Sequence, residues 1–115
     1  MHADEAKVVG KLIEEGLAMG YAVSVSDGED GTQPWVVSRS TNKSEIIDAM
    51  GSTDMDRVRF HDGETIVGTF LMIYGNEPYY VISDYTNNPR TREIFGKVEP
   101  LIAELEDLDA QSMGF

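Results

Sequence analysis

Arg57-Val58-Arg59-Phe60-His61-Asp62-Gly63-Glu64-Thr65-Ile66-Val67-Gly68-Thr69-Phe70-Leu71-Met72-Ile73-Tyr74 is the stretch that decides the fold. In its first five residues Val58 and Phe60 alternate with Arg57, Arg59 and His61, the two-residue period of a strand. Asp62-Gly63 is a strong tight-turn pair, and residues 65–74 carry apolar side chains on both faces, as a central strand does. A hairpin therefore stands in the middle of the chain. Beyond it, Gly75-Asn76-Glu77-Pro78 turns the chain and residues 79–85 read as a third strand, giving a meander. Asn88-Pro89 then offers a helix N-cap with proline at the first helical position. Ile94, Val98, Leu101, Ile102, Leu105 and Leu108 form a helical stripe, in which Pro100 demands either a kink or a break near Gly96 followed by a second helix.

Toward the N-terminus, Ala6, Val9, Ile13 and Leu17, with Val8 and Leu12 beside them, mark an amphipathic helix over about residues 3–19. Its polar side carries Asp4, Glu5, Glu14 and Glu15 against Lys7 and Lys11. Gly10 and Gly16 each weaken it by roughly 0.5–1 kcal/mol relative to Ala, and Gly20 is placed to end it. Tyr21, Val23 and Val25 alternate with Ala22, Ser24 and Ser26 as a half-buried strand, which residues 35–39 pair with across a turn-rich acidic loop. Asn42 can cap a short helix over about residues 43–50, with Glu45 in the capping-box position. The order α-β-β-α-β-β-β-α, with hairpin-length connections, implies an α+β two-layer sandwich: an antiparallel sheet of about five strands, with two long helices covering one face and one short helix besides. Residues 1–109 are expected to form a single domain and residues 110–115 a flexible tail.

With 21 acidic against 9 basic residues the formal net charge is −12, yet 41% hydrophobic residues suffice for a core and place the chain on the folded side of the disorder boundary. Clustered cations are required for binding DNA, RNA or anionic lipid, so direct nucleic-acid or membrane binding is not expected. The absence of cysteine removes thiol nucleophiles and Cys-based metal sites and, with no hydrophobic leader, is read as favouring the cytoplasm.

Catalytic signatures are missing: there is no Gly-x-Ser-x-Gly elbow, no phosphate loop and no dinucleotide fingerprint. His61, oriented by Asp62 or Asp84, is the one candidate general base, and the competing reading is an exposed strand-end histidine. Asp27-Gly28-Glu29-Asp30-Gly31 offers hard oxygen ligands, but it fails the EF-hand register and is read as a solvated hairpin loop. No metal or other cofactor is expected. Trp35, Tyr79, Tyr80 and Tyr85 are read as core and rim packing, because residues 63–92 hold only Arg90 and Arg92 to surround a base-stacking platform.

Charge is the feature that departs from ordinary usage. Residues 93–115 carry six carboxylates against Lys97 alone, a local net of −5. One reading is solubility; the other is that the carboxylates imitate a phosphate row and fill the positive groove of a nucleic-acid-binding protein.

Tyr74-Gly75-Asn76, the following Val81-Ile82-Ser83-Asp84-Tyr85-Thr86-x-Asn88 and the earlier Ser38-x-Ser40-Thr41 before a short helix resemble segments of small phage and prophage proteins. The resemblance covers roughly residues 21–90; its motifs are structural in character and assign no residue a role. It implies a protein that binds and disables a host or defence protein, as small acidic phage proteins do, some as DNA mimics and certain anti-CRISPR proteins among them. The expectation is thus a non-enzymatic acidic binding protein that inhibits or regulates a nucleic-acid-handling partner. Glu99, Glu104, Glu106, Asp107 and Asp109, with Asp27, Glu29 and Asp30 as a second cluster, would meet a basic protein surface. The alternative is an assembly module that oligomerises through a sheet edge or apolar surface, followed by a small hydrolase or metal-dependent enzyme centred on His61 and Asp84.

Overall fold

The computed structural model describes residues 1–27 and 35–112. Helix α1 (Ala3–Ala18) leads to β1 (Ala22–Asp27), β2 (Val37–Ser40) and the short α2 (Lys43–Asp48). The hairpin β3 (Met55–Asp62) and β4 (Thr65–Ile73) follows, then the 3-10 turn η1 (Pro78–Tyr80), β5 (Ile82–Tyr85) and α3 (Pro89–Ser112). The five strands form one antiparallel sheet in the order β2-β1-β3-β4-β5, so β3, from the stretch quoted first, is its middle strand. The α+β architecture and element order are as expected.

Alternation assigns the two faces of the sheet. Val23 and Val25 pair with Phe60 and Val58, and Val58 pairs with Phe70, so these residues point together under α1 and α3 and form the buried core with Val8, Leu12, Ile13, Ile94 and Val98. The other face carries Ser24, Arg57, Arg59, Thr69 and Leu71. Ser24 and Ser26 are nonetheless buried, so β1 is covered on both faces rather than half-buried. An extra residue in β4 shifts the register between Phe60↔Gly68 and His61↔Ile66.

Caps explain where the helices start. His2 Nδ1 accepts from Asp4 N while Glu5 Oε1 accepts from His2 N at 2.8 Å, a reciprocal cap on α1. Asn42 Oδ1 accepts from Glu45 N ahead of α2. Asn88 Oδ1 accepts from the amides of Arg90 and Thr91, with Pro89 as the first residue of α3.

Three sequence expectations need correction. Residues 79–81 are not strand: Pro78 starts a 3-10 turn, its fixed φ suiting a helical first position, and β5 begins at Ile82, after the Val81 carbonyl has accepted from Ile73 N at 2.9 Å. Of the two readings of Pro100, the break near Gly96 is excluded: the helix runs through it, because Pro100 and the Gly96 carbonyl it leaves unbonded lie on the exposed side, where water can substitute. Glu5 is not on the polar side of α1 but 1% exposed. Its Oε2 accepts from Gly75 N at 3.0 Å and ties the helix start to the turn after β4.

The two helical glycines of α1 differ in what surrounds them. A Cβ at Gly10 meets nothing within 4 Å. Gly10→Ala is therefore expected to stabilise the fold by about 0.5–1 kcal/mol in urea unfolding; an unchanged or lowered midpoint contradicts this.

Candidate functional site

Helix α3 places its carboxylates around the outer half of its surface. Taking about 100° per residue from the buried Leu105, Glu99 and Glu106 fall on one flank, Glu93 and Glu104 on the other, and Asp107 faces outward. All five are exposed, and among the described residues none makes a hydrogen bond or ion pair. Leu108, expected in the buried stripe, is 53% exposed and stands one turn beyond Glu104 on the same flank. The four carboxylates from Glu99 to Asp107 span about 12 Å of helix axis, roughly one charge per 4 Å. A single DNA strand carries about one per 3.4 Å.

Asp109 stands apart from that row. It is half-buried and accepts from Tyr79 Oη at 3.0 Å, an interaction that holds the end of α3 onto η1. Burial, and then this bond to a carboxylate, push the Tyr79 hydroxyl up to about 12. Asp27 belongs to β1 and shares the helix-covered face, where its Oδ2 accepts from Ser52 Oγ at 3.0 Å. Glu29 and Asp30 lie outside the described residues, as does the rest of the acidic loop. The second cluster is thus represented by Asp27 alone, engaged with the loop that enters β3.

His61 is not an exposed strand-end residue. It is 6% exposed, and its Nε2 is 2.8 Å from Ser24 Oγ. Ser24 Oγ also accepts from Arg39 N at 2.9 Å, an arrangement satisfied when the hydroxyl proton points to His61. His61 Nδ1 is buried without a partner among the described residues. Burial, then the charges of Arg39 and Arg59, hold the imidazole below its usual range. Asp62 does not orient it, since that carboxylate pairs with the Arg90 guanidinium, which also donates to Tyr21 Oη. Asp84 lies on β5, two strands away from β3, so the proposed His61 and Asp84 centre is not assembled.

Sequence reasoning missed a buried carboxylate. Asp56 is wholly buried at the start of β3, and its Oδ2 accepts from Tyr74 Oη at 2.5 Å and Gly51 N at 2.8 Å. Burial raises its pKa against the opposing pull of those two bonds. Its position in the alternation, two residues before Val58, was the available signal. Among the described residues no group of three His, Asp or Glu side chains is placed to hold a metal ion. A hollow of about 830 Å³ beside η1 is lined by His2, Ile73, Asn76, Glu77, Tyr80 and Ser83, with no nucleophile hydrogen-bonded to a base in it.

No family model, curated protein or solved structure matches this chain. Tyr74, Gly75 and Asn88 hold structural positions: Tyr74 anchors Asp56, Gly75 takes φ +95° and donates to Glu5, and Asn88 caps α3 while its Nδ2 donates to Val67 O. No helix among the described residues is long and apolar enough to cross a membrane.

Proposed function

We propose that the protein is a non-enzymatic binding protein that inhibits or regulates a nucleic-acid-handling partner by presenting the outer surface of α3 to that partner's cationic groove. The observation that carries this reading is the group of exposed carboxylates around the outer side of α3, Glu99, Glu104, Glu106 and Asp107, which have no partner among the described residues and a mean charge density along the helix axis near that of a nucleic-acid strand. Exposed Leu108 supplies an apolar contact beside them, of the kind that anchors an interface whose rim is charged. The inhibitory outcome follows from occupancy: a groove filled by carboxylates is closed to phosphates. Because exposed charges are screened beyond about 10 Å at 0.1 M salt and about 3 Å at 1 M, the complex is expected to form fast at low salt and weaken steeply as salt rises.

Affinity capture from lysate with the intact protein as bait, washed at low and at molar salt, tests this. The expected result is a nucleic-acid-binding protein retained at low salt and released at high salt, and displaced by added duplex DNA. A partner set insensitive to salt and to DNA would refute the reading.

A further inference from the structure

The hollow of about 830 Å³ beside η1 joins apolar surface to polar groups that the fold does not use. Ile73, Pro78 and Ile82, each half-buried, supply its apolar lining. Asn76, Glu77, Tyr80 and Ser83 stand exposed around it, and their side chains make no hydrogen bond or ion pair among the described residues. Tyr80 is 60% exposed, yet its ring has a fixed seat: it packs against Tyr79 with centroids 4.6 Å apart, and Tyr79 is anchored by its bond to Asp109. Tyr80 N donates to the Glu77 carbonyl at 2.9 Å, so the carboxylate and the ring belong to one turn stiffened by Pro78. No Lys or Arg lines the hollow, and His2 Nδ1, which accepts from Asp4 N, carries no proton, so Glu77 is the one charged side chain in the lining. A second carboxylate lies just behind it. Glu5 is 1% exposed, its two oxygens accept from the amides of the lining residues His2 and Gly75, and no cation among the described residues pairs with it.

We infer that this hollow binds a small organic cation, a primary ammonium group on an apolar body, with the ammonium at the Glu77 carboxylate and the Tyr80 ring and the apolar body against Ile73 and Ile82. A tyrosine ring and a carboxylate on one turn attract the same charge, the ring through its negative face. Asn76 and Ser83 add oxygen acceptors for the remaining ammonium protons. An anion is repelled by Glu77 and by the buried Glu5 behind the wall, and a neutral ligand would cover the Glu77 carboxylate without giving it a counter-charge. The volume lies within the range of about 300–1,000 Å³ found for small-molecule sites, far more than one Lys or Arg side chain of a partner protein fills.

The test titrates the intact nitrogen-15-labelled protein at neutral pH with 2-phenylethylamine, and with 2-phenylethanol and phenylacetate as neutral and anionic analogues, following backbone amide shifts. Saturable shifts are expected at Gly75, Asn76, Tyr80 and Ser83 with the amine, and binding at least about tenfold weaker with either analogue. Glu77→Gln and Tyr80→Leu are each expected to raise Kd about fivefold or more, with the fold checked by circular dichroism. Glu104→Gln with Asp107→Gln is expected to leave Kd unchanged, which separates a seated cation from general attraction to an acidic protein and from the role proposed for α3. The inference is overturned by the absence of saturable shifts, by equal binding of the alcohol, by an unchanged Kd in folded Glu77→Gln or Tyr80→Leu, or by shifts centred on the α3 carboxylates. It is equally overturned if a short lysine-containing peptide binds at these residues more tightly than the free amine, which would make the hollow a seat for a partner's side chain.

Discussion

Gly16→Ala is expected to destabilise the protein by about 1–3 kcal/mol, the usual cost of overpacking, although alanine is the better helix former by up to about 1 kcal/mol. A Cβ at position 16 would stand 2.1 Å from Cε1 and 2.6 Å from Cδ1 of Phe60. That ring cannot swing aside: it is fully buried, edge-on to Phe70 with centroids 5.5 Å apart and tilted against Tyr21 at 6.4 Å. Gly16 is therefore where α1 comes down onto the middle strand, and a methyl group there must push the helix off the sheet. Urea unfolding decides it, and pairing with Phe60→Leu should recover part of the loss. A Gly16→Ala midpoint at or above that of the parent would mean that the helix and sheet are not in contact as described.

Asp56→Ala is expected to have a loss of similar or larger size. It leaves the Gly51 amide and the Tyr74 hydroxyl without their acceptor, at roughly 1–3 kcal/mol each, offset in part because a buried carboxylate no longer has to be desolvated. The same desolvation gives a pH signature. Because the folded-state pKa of Asp56 is raised above 3.8, the folded protein takes up this proton before the unfolded chain does. The group's contribution therefore turns in favour of folding as pH falls through its folded pKa toward 3.8. His61 acts in the opposite sense: its folded pKa is lowered, so the unfolded chain protonates first and stability is lost as pH falls below 6.5. Comparing the parent with Asp56→Asn cancels the His61 contribution. The stability difference is expected to move in the parent's favour between neutral pH and about pH 4, and a difference that does not change with pH would contradict the burial of this carboxylate.

Element identity was legible because period and punctuation agree: Asp62-Gly63 between two apolar runs, and Asn88-Pro89 ahead of a stripe from Ile94 to Leu105. What could not be read came from contacts distant in sequence. Glu5 looks like an ordinary first-turn carboxylate until Gly75 is brought to it from seventy residues away. Tyr79 and Tyr80 have strand-like composition, yet Pro78 and the bond from Tyr79 to Asp109 settle them as a turn. The Arg59 guanidinium beside Trp35 was not legible for a similar reason. Trp35 meets Arg59, which lies outside residues 63–92, only because β1 lies between β2 and β3 and brings both strands into one sheet. The acidic end was visible from counting alone. Its subdivision into a free row on α3 and an Asp109 engaged by Tyr79 required the packing of η1.

Partner binding is proposed to reside in the carboxylates on the outer side of α3. The most direct measurement is titration calorimetry of the partner recovered by capture against the parent protein and against the triple variant Glu104→Lys, Glu106→Lys, Asp107→Lys. All three positions are exposed, so the variant should keep the parent's circular dichroism spectrum. Kd is expected to rise at least about 100-fold at low salt, and the parent's affinity to fall toward that of the variant as salt increases. A folded variant that binds the partner within about twofold of the parent would contradict it.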